Sequence, residues 1–218
     1  MIHWHTTGRE LQKMLRQIMV EPLFDPFCLV GGTSLSLQWG HRLSVDIDLF
    51  TDSTYGQIDF SGLVAWFRDH YAYVDGNLAE PAGLGISLFA GESVESAVKI
   101  DLYYTDAFIM PVVHHDGIRI ADFADVLAMK LDIIGRKRGG GRKKDFWDLH
   151  RAMDYTNLHQ MLDMYAQRYP YGHTTHDLLT GLTSFSFADD DFEPVCLEGK
   201  HWELIKEDIQ IWVMGFLS

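Results

Sequence analysis

Asp46 and Asp48, separated only by Ile47 in VDIDLF (residues 45–50), have the clearest chemical capacity in the chain. Apolar and polar residues alternate through this run, which predicts a strand. Its period of two puts Val45, Ile47 and Leu49 on one face and Asp46, Asp48 and Phe50 on the other. Two carboxylates placed this way lie about 6–7 Å apart at Cα. They repel each other, and a divalent cation relieves the repulsion. Mg²⁺ takes oxygen ligands and is commonly shared between a few carboxylates and a substrate's phosphates. Alone, an Asp-x-Asp triplet is more often a plain polar strand face.

A second stretch shifts that balance. FCLVGGTS (27–34) is a short apolar run that ends in Gly31–Gly32 and leads into TSLSLQW (33–39). The latter predicts a helix opened by Thr33 or Ser34 as N-cap and stopped at Gly40. Backbone N–H groups and hydroxyls at a helix N-terminus make a ready seat for phosphate. Thirteen residues then separate Gly32 from Asp46.

The elements that must position these residues form two halves. Residues 24–121 read as a mixed sheet with helices. They contain a helix over 9–21 stopped by Pro22, an amphipathic helix over 59–74, and paired strands in GISLFAGES (85–93) and SAVKIDLYYT (96–105). A short strand follows at 109–113, with a turn at Asp116–Gly117. From residue 122 the pattern is helical. DFADVLAMKLDIIGRK opens with a capping-box-like Asp122 and Asp125, KKDFWDLHRAMD is a further helix, and 157–169, 173–183 and 200–217 follow. The expectation is an α/β (α+β) chain with a small mixed β-sheet flanked by helices. Residues 1–121 would form the core and 122–218 a C-terminal helical region, packed as two parts or one compact domain.

Apolar-Gly-Gly, a spacer, then Asp-apolar-Asp-apolar resembles the nucleotidyltransferase superfamily whose best-known fold member is DNA polymerase β. Val30, Gly31, Gly32 and Asp46 to Leu49 carry the match. More narrowly, GGTSLSLQWGHRLSVDIDLF resembles the AbiEii/AbiGii toxin family, whose members place GGT, Arg-x-Ser and Asp-Ile-Asp in this order. Arg42 and Ser44 supply the Arg-x-Ser. The resemblance implies a nucleotidyltransferase fold and a third carboxylate on a later strand. Asp101 is the candidate, because it is a polar member of the otherwise apolar alternation Val98, Ile100, Leu102. Asp106, in the following turn, is the fallback.

The helical half extends the match, with a helix lysine, a basic turn and Lys/Arg-Asp-x-x-Asp. Lys130 shares a face with Leu127, Leu131 and Ile134. A lysine in an apolar stripe is costly unless it snorkels or meets an anion. Asp145 and Asp148 lie on the next helix, with Asp145 in its first turn, where an acid also suits the helix dipole. The resemblance implies Asp46, Asp48 and Asp101 as ligands of Mg²⁺ or Mn²⁺, with Asp101 helping to deprotonate the acceptor. Gly31, Gly32, Thr33, Ser34, Arg42 and Lys130 would bind NTP, with Lys130 offsetting charge on the triphosphate, and Lys130 and Asp145 would act in catalysis.

The totals bound these readings. A net charge of −13 argues against a general nucleic-acid coat, yet six of the 18 basic residues fall in RKRGGGRKK, residues 136–144. That loop is a candidate phosphate or RNA contact, or else a solvated loop. The longest apolar runs are too short to span a membrane and no signal-peptide core is evident. Cys28 and Cys196 read as core thiols in a reducing cytosol, with a single bridge between them as the alternative, and a cytoplasmic protein is expected. The 11 histidines lack zinc spacing, and Gly-x-Ser-x-Gly, HExxH and a P-loop are absent. Only His41, next to the motif, stands apart.

Together these features predict transfer of a nucleoside monophosphate from an NTP to an acceptor. As the resemblance implies, the acceptor would be RNA, such as a tRNA 3′ end, and the protein the toxin of a toxin–antitoxin or abortive-infection pair with a cognate antitoxin. The alternatives are transfer to a small-molecule or protein hydroxyl, and a nucleotide- or antitoxin-binding protein without turnover.

Overall fold

The computed structural model describes residues 2–76 and 83–218, which fall into two compact units. The first comprises Met1–Trp39 and Ser44–Ala121, and the second Gly40–Leu43 and Asp122–Ser218.

The first unit is built on a mixed sheet, seven-stranded among the described residues. Its strands are β1 (Cys28–Leu29), β2 (Asp46–Thr51), β3 (Tyr73–Gly76), β4 (Gly85–Gly91), β5 (Val98–Tyr104), β6 (Val113–His115) and β7 (Ile118–Ile120), in the spatial order β3-β4-β5-β2-β1-β7-β6. β2 runs parallel to β5 and antiparallel to β1, while β4 is antiparallel to β5. The predicted alternation is realised in both central strands. Ile47, Leu49, Ile100 and Leu102 are sealed on one face, joined by Leu88 of β4. Helix α1 (Arg9–Val20) adds Leu11, Met14, Leu15 and Ile18 to that core, and α3 (Phe60–His70) adds Leu63 and Phe67. Each such side chain contributes about 1.5–3 kcal/mol by leaving water, enough to fix which face of the sheet turns inward.

Three boundaries differ from the sequence reading. Helix α3 stops at His70, and Tyr73–Gly76 pairs with β4 as a strand. The aromatic and β-branched residues there pack better on a pleated surface than in a fourth helical turn. The strand expected at 109–113 lies instead at Val113–His115, where the Asp116–Gly117 turn joins it to β7 in a hairpin. Asp116 and Gly117 both adopt positive φ, 52° and 79°, which makes this a tight reversal. Helix α2 (Gly31–Trp39) begins two residues before its expected N-cap, so Thr33 and Ser34 lie inside it.

The second unit is helical: α4 (Phe123–Ile134), α5 (Lys143–Ala152), α6 (Leu158–Arg168), α7 (Thr175–Leu182), the short α8 (Ser186–Asp189) and α9 (Trp202–Leu217). α4 packs on α6 and α7, and α5 on α9, around Leu127, Leu131, Phe146, Leu149, Met161 and Ile205. Trp147 and Trp202 stack, with ring centroids 6.0 Å apart. Asp122 caps α4 as expected, accepting from the Ala124 N–H. Asp125 is not part of a capping box; it turns inward to pair with Arg168, both fully buried. Residues 40–43 belong to this unit through backbone bonds from Leu43 N–H to Val195 O and from Leu197 N–H to His41 O, both 2.9 Å. Neither cysteine is in a disulfide; Cys28 is buried as expected, whereas Cys196 is only partly buried and so is not a core residue. Among the described residues no helix is long and apolar enough to cross a membrane.

Candidate active site

The face of β2 opposite the core carries Asp46, Asp48 and Phe50, each partly exposed. The parallel register places Asp48 directly across from Asp101, and Asp46 across from Lys99. Neighbouring strands lie about 4.7–4.9 Å apart, so the second and third expected acids are cross-strand neighbours. β4 extends the row, with Ser87 opposite Asp101. Lys99 Nζ donates to Asp101 Oδ2 at 2.5 Å. Burial opposes the charge on Lys99. The hydrogen bond and charge of Asp101, then the charges of Asp48 and Asp46, outweigh it and raise the lysine above its ordinary value. Asp106 lies in the exposed loop beyond β5, outside this register.

Gly31 adjoins this row. Its φ of +66° is costly for a side chain, and a Cβ there would overlap the Asp48 carboxylate. The glycine thus lets the start of α2 close onto the acid. The hydroxyls behind it are already committed. Thr33 Oγ1 donates to Asp46 O at 2.5 Å and lies 2.7 Å from Ser44 Oγ, while Ser34 Oγ bonds Gly31 O at 2.8 Å. Thr33 and Ser34 are buried, so what this turn offers a phosphate is backbone N–H rather than hydroxyl.

The remaining expected site residues gather within the second unit. Lys130 Nζ is 2.5 Å from Asp145 Oδ1 and 2.9 Å from Asp148 Oδ2. Arg42 meets Asp148 with two parallel bonds, Nε to Oδ1 at 2.7 Å and Nη2 to Oδ2 at 2.8 Å, and His41 Nε2 adds a contact at 2.8 Å. Asp145 Oδ2 accepts the Arg142 N–H, closing the N-terminus of α5. All of these charged side chains are at least nine-tenths buried. Burial pushes Asp148 up, but Arg42 and Lys130, with hydrogen bonds from His41 and Arg42, hold it well below the ordinary aspartate value. Asp145 is pushed up by burial and brought below its ordinary value by Lys130. For Lys130 burial works downward, and the two aspartates raise it above the ordinary lysine value. The apolar stripe around Lys130 is thus explained by two buried anions.

The structure brings together Asp48, Asp101, Asp46 and Gly31 in the first unit, and Arg42, Lys130, Asp145 and Asp148 in the second. Lys99 was not among the expected site residues and stands among the acids of the first cluster. Asp148, which the resemblance includes as the last acid of Lys/Arg-Asp-x-x-Asp, is the hub of the second. The alternation that singled out Asp101 also puts Lys99 on its face, so the signal was there. In the basic loop, Arg136 pairs with Asp132 at 3.0 Å and Lys143 lies 3.9 Å from Glu193, so part of its charge is met locally.

A divalent cation suits the carboxylate face. The donors are hard oxygens, Gly31 leaves Asp48 space that a Cβ would fill, and Asp101 Oδ1 is buried without a hydrogen-bond partner. The acids do not converge on one point. Among the described residues no three Asp, Glu, His or Cys side chains are placed as a metal-binding group.

Residues 13–210 match a family model described as nucleotidyl transferase AbiEii toxin, type IV TA system. An uncharacterized protein of Aquifex aeolicus, aq_aa25, is 26% identical over 96% of this chain and 97% of its own. Two solved structures share the fold. JHP933 of Helicobacter pylori has a TM-score of 0.55 at 17% identity, covering 95% of this chain and 91% of its own. MenT4, a nucleotidyltransferase toxin of Mycobacterium tuberculosis, has a TM-score of 0.56 at 13% identity, covering 95% and 86%.

Proposed function

The chain belongs to the nucleotidyl transferase AbiEii toxin family, and from that membership we propose that it transfers a nucleoside monophosphate from an NTP at the carboxylate face of β2 and β5. The acceptor hydroxyl oxygen bonds to the α-phosphorus, the bond from that phosphorus to the β-phosphate bridge breaks, and pyrophosphate leaves. The observation that carries this reading is the register that sets Asp48 against Asp101, with Gly31 closed onto Asp48.

Asp46, Asp48 and Asp101 would hold Mg²⁺ or Mn²⁺, which when bound offsets the negative charge of the phosphates. The Asp101 carboxylate takes the acceptor's proton, as a general base held by the strand pairing. The N–H groups at the opening of α2 orient the terminal phosphates, with Gly31 and Gly32 allowing close backbone approach. Arg42, Lys130, Asp145 and Asp148 act as positioning residues, fixing α4, α5 and the 40–43 segment. The acceptor class we propose is RNA, consistent with the basic residues concentrated at 136–144 in an otherwise acidic chain. The biological role is that of the toxin in a toxin–antitoxin pair.

Incubation with each α-labelled NTP, Mg²⁺ and total RNA tests this. Label should enter RNA with the native protein and fall away with Asp48→Asn. Label found only in a small molecule or in protein would move the acceptor to those classes. Nucleotide binding without transfer in any mixture would overturn the enzymatic reading.

A further inference from the structure

A cleft of about 550 Å³ within the helical unit takes no part in the chemistry proposed above. Its lining comes from two places in the chain. The basic turn between α4 and α5 supplies Lys137, Gly139 and Arg142, while α8 and the residues after it supply Phe187, Asp190 and Asp191. That volume is in the range of small-ligand sites. α8 is firmly held. Phe185 packs with its ring centroid 5.1 Å from that of Phe146 and 5.7 Å from that of Trp202, and Asp189 accepts from Trp202 Nε1 at 2.7 Å. Phe187, two residues further, is 53% exposed instead. An aromatic ring left open on an anchored turn is a stacking platform. The cations are also available. The Lys137 side chain is 88% exposed, and its ion-pair partner Asp177 stands 4.0 Å away. Arg142 Nε is 4.0 Å from Asp145 Oδ2, an oxygen that already accepts the Arg142 N–H. Gly139 has open space where a Cβ would go, so the backbone of the turn can be approached closely.

These groups suit the parts of one nucleotide. Lysine and arginine suit a phosphate, an exposed ring suits the face of a base, and a carboxylate accepts from a base's amino group. A bare phosphate or a run of duplex backbone would meet two aspartates along with the two cations, and gain little. In duplex RNA the bases are also stacked and paired, so the ring at Phe187 requires an unpaired one. We propose that this cleft holds one unpaired nucleotide of the RNA acceptor, its base on Phe187 and its phosphate at Lys137 and Arg142, with Asp190 and Asp191 favouring a base that carries an amino group. The proposal rests on the reading above that the acceptor is RNA. Cytosine offers an amino group where uracil has a carbonyl, which a carboxylate repels. Cytidine-rich single strands should therefore bind in preference to uridine-rich ones.

Fluorescence anisotropy of end-labelled oligocytidylate and oligouridylate, each about eight nucleotides long, tests this on the full chain without NTP. The native protein should bind oligocytidylate more tightly. Phe187→Ala should weaken both by at least about fivefold, the scale of one lost base–aromatic stack, and Phe187→Tyr should keep native affinity. Lys137→Gln should lower the slope of log affinity against log salt by about 0.7. Replacing both Asp190→Asn and Asp191→Asn should abolish the preference for cytidine. Phe187 and Lys137 are exposed, so their variants should melt with the native protein. Unchanged affinity in Phe187→Ala, with label still entering RNA in the transfer assay, would overturn the inference and leave the proposed function standing. Absence of both RNA binding and RNA labelling in the native protein would overturn the RNA acceptor and the inference together. Cytidine monophosphate that displaces the probe as well as unlabelled oligocytidylate does would overturn the assignment to an RNA strand.

Discussion

The two units treat buried charge in opposite ways. In the helical unit both oxygens of Asp148 and both of Asp145 are met, by Arg42, His41, Lys130 and the Arg142 N–H. In the sheet unit the carboxylates stand on a partly exposed strand face, and Oδ1 of Asp101, across from Asp48, has no hydrogen-bond partner. A network in which every carboxylate oxygen is met has little left to offer a substrate and contributes to the structure. A carboxylate with an unmet buried oxygen is costly on its own terms, and Asp101 is held in place by the hydrophobic core behind β2 and β5. On the function proposed above, the difference separates a positioning role from a chemical one, even though both clusters contain aspartates from the same family resemblance.

Removing an acid from each should therefore give opposite profiles. Asp148→Ala leaves Arg42 and Lys130 buried without their shared anion, and should cost about 3–5 kcal/mol of stability. Denaturant unfolding followed by fluorescence of the Trp147–Trp202 pair would show it. A loss under about 1 kcal/mol would mean that the network is not the anchor of that unit. Asp48→Asn should leave stability within about 0.5 kcal/mol of native. Its transfer rate should fall by about 10²–10³-fold, the scale on which removal of one group aimed at developing charge is felt. If Asp48→Asn unfolds the sheet unit instead, the contrast between the two clusters fails.

How much of this was legible beforehand follows the range of the interactions. Period-two alternation is local, so Asp46, Asp48 and Asp101 could be placed on polar faces from the sequence alone. That Asp48 faces Asp101 and not Lys99 or Tyr103 depends on register between strands about fifty residues apart, which no local pattern encodes. Lys130 was visible as an anomaly in an apolar stripe, but its partners lie on α5. Asp125 looked like a cap because it sits three residues after Asp122; its partner Arg168 is 43 residues away. The start of α2 was misplaced because Thr33 and Ser34 are good caps in isolation. Gly31 opens the helix earlier, and the reason for a glycine there is the Asp48 side chain on another element.

Two glycines of nearly equal φ refine the comparison. Gly31 at +66° faces the Asp48 carboxylate, whereas Gly139 at +64°, in the basic loop, has open space where a Cβ would go. Both substitutions to alanine incur the left-handed backbone cost of about 1 kcal/mol. Only Gly31→Ala must also displace the acid, so it should cost about 2–4 kcal/mol in total and reduce transfer alongside. Equal losses of stability at the two positions, with transfer intact in Gly31→Ala, would show that the approach of α2 to Asp48 has no functional weight.

The smallest effect lies in the pH dependence, and it belongs to the helical unit. Asp145 and Asp148 have folded values below their ordinary 3.8, so the stability they add is present above that value. It is lost as pH falls below 3.8 and through the folded values, because the unfolded chain then binds more protons than the folded one. Lys130 is raised above its ordinary 10.5, so its contribution holds below that value and fades as pH climbs through the folded one. Between these limits the network should add no slope to stability. On the acid side each of the two carboxylates can add up to about 1.4 kcal/mol per pH unit. Hydrogen exchange of α4 and α5 amides, compared between pH 3 and pH 6, isolates this unit from the sheet. Asp148→Ala should flatten the acid limb while leaving the neutral plateau level, since the mutation removes the shifted proton site itself. An acid limb of unchanged slope in that variant would assign the loss to carboxylates outside the cluster, and the saturated network would no longer account for how this unit responds to acid.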